Sequence, residues 1–151
     1  MPTLAMEVKT DMINKYGVEA ILEDEYHLVN RFISYLDEKI YEAKDMLLER
    51  FDWICNQSPK SAQFMYENGL MEGYIPEEGI RSALKHGTLA VGQLGLAETL
   101  QILIGQDHTT KEGMELAKRI EQLFKDRCNE FKQEYKLNFG VYYTPKQNWV
   151  A

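Results

Sequence analysis

Apolar residues recur at steps of three and four along two long stretches of the chain, and each predicts an amphipathic helix. The first runs from about Glu23 to Cys55, with Val29, Phe32, Ile33, Leu36, Ile40, Ala43, Leu47, Phe51 and Ile54 on one stripe. Asp37, Glu38, Lys39, Glu42, Lys44 and Glu49 occupy the other side, which reads as solvated. The second stretch follows Thr109 and Thr110, residues suited to an N-cap. Met114, Ala117, Ile120, Phe124, Phe131 and Tyr135 form its stripe.

Shorter elements lie around these two. Met1 to Val8 is a brief apolar run before the turn-like Asn14–Gly17, and reads as an edge strand or an extended strap. Asn56 to Gln63 breaks the first helix, with Pro59 as the stop. Pro76 opens a short helix through Lys85 that Gly87 ends. Thr88 to Leu94 reads as a buried strand or an extended segment, and Gly95 to Gly105 as a glycine-bounded helix. The β-branched and aromatic residues of "LNFGVYYTP" predict a last strand with a proline stop. The pattern is a helix-rich α/β chain with two or three strands. The segments at Thr88 and at Phe139 could be parallel neighbours joined by a right-handed crossover. So few strands do not complete a sheet, so the chain reads as part of something larger.

Composition narrows the classes. The chain has 151 residues, 44% of them hydrophobic and 27% charged, as expected for one soluble folded unit. Its net charge of -7 argues against gripping nucleic acid, which needs clustered Lys and Arg. A nucleotide substrate stays open, because a few local donors can hold one. No leader pattern opens the chain and no apolar run has membrane length, so a cytoplasmic location is expected. Cys55 and Cys128 are far apart, without metal-ligand or disulfide spacing.

Several residues could carry chemistry, and each has a plainer role. His86, beside Gly87 and Thr88, could donate to a phosphate or move a proton, or could simply face the carbonyls at a helix end. His108 reads as a solvated loop residue, and the cysteines as small core hydrophobes. Glu77 and Glu78 suit the first turn of a helix. Glu98, in the first turn after Gly95, could be a buried functional carboxylate or a helix-start stabiliser. The glycines of "VGQLGLAE" are not a dinucleotide fingerprint. They do signal backbone brought close to a ligand or a neighbouring strand.

Taken together, "MPTLAMEV", "LKHGTLAVGQLGLAETL" and "RCNEFKQEYKLNFGVYYTP" resemble the catalytic subunit of anaerobic (class III) ribonucleoside-triphosphate reductase, a glycyl-radical enzyme family. The stretch Leu84 to Leu100 carries most of the likeness, and the order of motifs agrees over essentially the whole chain. The resemblance implies a central slice of a ten-stranded α/β barrel, here as a single segment 1–151. In that frame Thr88–Leu94 and "FGVYYTP" are barrel strands. His86, Gly87, Thr88, Gly92, Gln93, Gly95, Leu96, Glu98, Thr144 and Pro145 would line a substrate cavity for a ribonucleoside triphosphate.

The resemblance further implies an oxidoreductase that replaces the ribose 2′-hydroxyl with hydrogen by radical chemistry, in deoxyribonucleotide biosynthesis for DNA replication. Its radical glycine, finger-loop cysteine, zinc-binding cysteines and ATP or dNTP effector region would all lie outside these residues. Gly140, Cys55 and Cys128 do not stand in the matching contexts. No cofactor is therefore expected on this chain, and no turnover from it alone. Its expected partners are the rest of the reductase chain, a radical-SAM activating enzyme and, in a homo-oligomer, a second copy, with no nucleic acid and no membrane. Met1-Pro2 stands where the family has an internal Asn-Leu-Pro or Asn-Met-Pro phrase, so Met1 reads as an internal methionine. Thr144-Pro145-Lys146-Gln147 departs from the family's Thr-Pro-Ala-Glu. A helical interaction module and a small nucleotide-binding protein using the Gly95 helix start are the rival readings.

Overall fold

A computed structural model describes residues 1–143. Helix α1 (Pro2–Tyr16) is followed by α2 (Val18–Glu23) and the long α3 (Glu25–Cys55). Short turns of helix come next: a 3-10 turn at Pro59–Ala62, α4 (Gln63–Glu67), a second 3-10 turn at Pro76–Glu78 and α5 (Arg81–Leu84). Strand β1 (Thr88–Gln93), α6 (Leu96–Ile104), α7 (Lys111–Tyr135) and β2 (Asn138–Tyr143) complete the described residues.

The first segment is a helix, not the expected strand or strap. Pro2 sits in its first turn, where a missing N–H costs nothing, and Ala5, Val8 and Met12 are buried at helical spacing. The turn-like Asn14–Gly17 is its end, where the Gly17 N–H donates to the Ile13 carbonyl at 2.9 Å. The expected helix from Pro76 to Lys85 is also corrected. Gly79, at φ 71°, interrupts it, leaving the 3-10 turn and α5. The rest of the pattern stands close to expectation. Asp24 caps α3 by accepting from the His27 N–H at 2.9 Å, and Thr110 caps α7 through the Gly113 N–H at 3.1 Å.

One core joins these helices. Phe32, Leu36 and Ile40 of α3 meet Ile120, Phe124 and Phe131 of α7, Leu100 and Leu103 of α6, and Ala5 and Val8 of α1. Phe139 of β2 is fully buried, with its ring edge-on to Phe131 at a centroid distance of 5.5 Å. Two residues depart from their expected faces. Met114, assigned to the α7 stripe, is exposed. Lys44, assigned to the solvated face of α3, is buried among the rings of Tyr41, Phe131 and Tyr135 at 5.2–5.6 Å. Its ammonium reaches Asp45 at 2.7 Å and the Tyr135 hydroxyl at 3.2 Å, which satisfies the charge.

The strands β1 and β2 are parallel and in register, Thr88 opposite Asn138 through Gln93 opposite Tyr143. The connection between them runs through α6 and α7. Both carboxyl ends therefore lie at one edge of the molecule.

Candidate functional site: the carboxyl ends of two parallel strands

Alternation along β1 divides its side chains between two faces. Leu89, Val91 and Gln93 share one face with Phe139, Val141 and Tyr143 of β2, and the helices cover it. Thr88, Ala90 and Gly92 share the other with Asn138, Gly140 and Tyr142. Most of that second face is exposed, and its residues are small apart from Asn138 and Tyr142; the Asn138 carboxamide donates to the Thr88 hydroxyl across it at 2.5 Å.

The expected cavity residues divide between the two ends of β1. His86, Gly87 and Thr88 stand at its start, with His86 exposed and its ring beside Gly73. Gly92, Gln93, Gly95, Leu96 and Glu98 stand at its finish. Only Leu89, Ala90 and Val91 stand between the groups, which puts Thr88 and Gly92 roughly 13 Å apart, so within this chain they form two clusters. Thr144 and Pro145 lie outside the described residues. Glu98 is exposed, so the possibility of a buried carboxylate there is not met.

Gly95 shows what its close approach is for. It adopts φ 74° and ψ 40°, the left-handed region, just before α6. A Cβ there would lie 2.7 Å from Pro2 Cδ and closer still to Cγ. The neighbour is therefore the first turn of α1, and the amino group of Met1 donates to the Leu94 carbonyl at 3.3 Å beside it. Partial burial lowers that amine's pKa. Between α1, α3 and the end of β1 lies a cavity of about 240 Å³, bordered by Met1, Lys39, Ile40, Gly92, Gln93 and Phe124.

One cluster was not foreseen from the sequence. Glu121, on α7, reaches both strand ends with a single carboxylate. Its Oε1 accepts from the Gln93 side-chain amide, and its Oε2 accepts from the Tyr143 hydroxyl at 2.5 Å. Desolvation, then the bond to Glu121, pushes the Tyr143 phenol up to about 12. A carboxylate only accepts, so the NH₂ side of the Gln93 amide faces Glu121. Gln93 Oε1 is left buried without a hydrogen bond among the described residues, a condition that costs about 1–3 kcal/mol. The alternation that puts Gln93 inward was legible; Glu121, one turn after Ala117 on α7, carried no signal of its own.

No group of three or more His, Cys, Asp or Glu among the described residues could hold an ion. Cys128 is buried on α7 and Cys55 is half-buried at the end of α3, and burial pushes both thiols up. Cys55 and Cys128 do not form the clustered thiolates that the zinc site implied by the resemblance would need. Gly140 is an interior residue of β2, paired with Ala90. No helix among the described residues is long and apolar enough to cross a membrane.

A helix-rich α/β chain presenting two parallel strand ends belongs with folds that place ligands beyond those ends. The sequence profile of anaerobic ribonucleoside-triphosphate reductase matches residues 1–149, and the chain belongs to that family. No curated protein matches it significantly.

Proposed function

We propose that this chain is a slice of the catalytic barrel of an anaerobic ribonucleoside-triphosphate reductase. It would contribute two neighbouring strands of the barrel wall and the helices behind them. One observation supports this reading: among the described residues the parallel pair is covered on one face only. Parallel sheets are ordinarily buried on both faces, and two strands are fewer than an independent sheet needs. The small residues Thr88, Ala90, Gly92 and Gly140 on the bare face suit the interior of a barrel, where backbone and substrate come close.

In this reading the chain binds and orients a ribonucleoside triphosphate and does not itself carry the radical. The radical glycine and the thiyl cysteine belong to other parts of the enzyme, which would remove the ribose 2′-hydroxyl with electrons from formate. His86, Gly87 and Thr88 would flank one end of the β1 wall, and Gly92, Gln93, Gly95, Leu96 and Glu98 the other, with Thr144 and Pro145 completing it. The location would be cytoplasmic, and the partners the rest of the reductase and its radical-SAM activating enzyme.

The test is the mass of the native polypeptide carrying "KHGTLAVGQLGLAETL" in anaerobically grown source cells. A chain several hundred residues longer that reduces ribonucleoside triphosphates supports the proposal. A 17.6 kDa product would overturn it and favour a binding or interaction role.

A further inference from the structure

We propose that Glu121 is a positioning residue, which sets the spacing of the two strand ends through Gln93 and Tyr143; this rests on the reductase reading of the site. Gln93 and Tyr143 are the last residues of β1 and β2 and stand opposite each other in register. The bonds to Glu121 therefore fasten both ends to one point on α7, immediately before the Leu94–Gly95 turn and residue 144. Loop positions in a site of this kind are only as fixed as the strand ends that lead into them.

Packing alone does not account for Gln93 at this position. It is 93% buried, yet its Oε1 has no donor among the described residues. Val91 and Leu89, on the same face, pack against the helices without such a cost. A methionine of similar length would fill the same space and remove the orphan acceptor. A group that lowers stability at a strand end is expected where geometry, not packing, is being set. Tyr143 is the other half of the device: its hydroxyl is anchored while its ring stays half exposed at the molecular edge.

The experiment compares Gln93→Met, Glu121→Gln and Glu121→Ala in this chain, by thermal melting and residue-resolved amide exchange. Glu121→Ala should speed exchange about tenfold at both 92–94 and 142–143 while amides within α3 stay unchanged. Glu121→Gln, which can still accept, should recover part of that protection. Gln93→Met should raise the melting temperature or leave it unchanged while loosening the β1 end. A lower melting temperature for Gln93→Met, or loosening of one end only by Glu121→Ala, would overturn the proposal.

The second measurement uses the native reductase polypeptide titrated with ATP, CTP, GTP and UTP. Glu121→Ala should weaken substrate affinity about tenfold, with partial rescue in Glu121→Gln. Loosened ends with unchanged affinity would remove the positioning role and leave the reductase reading intact. A wild-type polypeptide that binds no triphosphate would overturn the reductase reading itself, whatever the exchange rates show.

Discussion

The two faces of the β1–β2 pair are built from the same twelve residues of backbone and differ in everything else. On the helix side Val91 and Phe139 are buried, and Phe139 stacks edge-on between Phe131 and Tyr135. On the bare side stand Thr88, Ala90, Gly92, Asn138, Gly140 and Tyr142, with no helix over them among the described residues. A chain spends large side chains where it must hold itself together. The opposite face is small at Thr88, Ala90, Gly92 and Gly140 and carries one large ring, Tyr142, near its end.

The comparison breaks most sharply at Phe139. Truncation to alanine empties the centre of the helix-side face and should cost about 3–5 kcal/mol, read from urea unfolding. That is a large part of the stability of a domain this size, so partial unfolding at room temperature is the expected appearance. A loss below about 1 kcal/mol would mean that the sheet is not anchored through this ring.

Gly95 comes next. An alanine there must take the left-handed region and displace Pro2, with an expected loss of about 1–3 kcal/mol. The double variant with Pro2→Ala separates the two causes. If close approach dominates, removing the proline ring restores most of the loss; if backbone conformation dominates, it restores none.

A smaller effect is expected at Arg127, which ties α7 to α3. Its guanidinium holds Asp37 through two bonds, at 2.7 and 2.8 Å, and Glu130 at 2.6 Å. Arg127→Ala should cost about 1–2 kcal/mol at neutral pH. The bond from Arg127, and then that from Tyr41, hold the Glu130 carboxyl below its usual range. A depressed carboxyl adds stability above its unfolded value and loses it as pH falls through the folded one. The wild-type chain should therefore lose stability below about pH 4.5, and the variant should lose less over that interval. Melting curves from pH 7 to pH 3 measure the difference.

How much of this was legible depended on period. Helices α3, α6 and α7 and both strands repeat their apolar positions over enough turns to be read directly. Helix α1 was misread because Ala5, Val8 and Met12 lie among other apolar residues in a short run, where helical and extended spacing look alike. Residues 56–79 show the opposite failure. Phe64, Leu70 and Ile75 follow no period, and the structure leaves them exposed. Lys44 was misplaced because its aromatic partners Phe131 and Tyr135 lie far along the sequence. The Glu121 cluster was out of reach for the same reason: only the fold brings α7 beneath both strand ends. The expected cavity residues are neighbours in sequence, but within this chain β1 divides them between its two ends.

The smallest expected effect is the most informative about the bare face. Ala90 sits at its centre, opposite Gly140, and is exposed. Threonine there suits a strand and displaces no helix, so Ala90→Thr should change the stability of this chain by no more than about 0.5 kcal/mol. On the barrel reading proposed above, the same methyl and hydroxyl would protrude into the interior of the reductase and should depress ribonucleotide reduction far more than they depress folding. Matched unfolding and activity measurements on the one substitution therefore separate the two faces. A loss of stability above about 1 kcal/mol would place Ala90 in this chain's own packing, and the bare face would no longer be one kept for a partner.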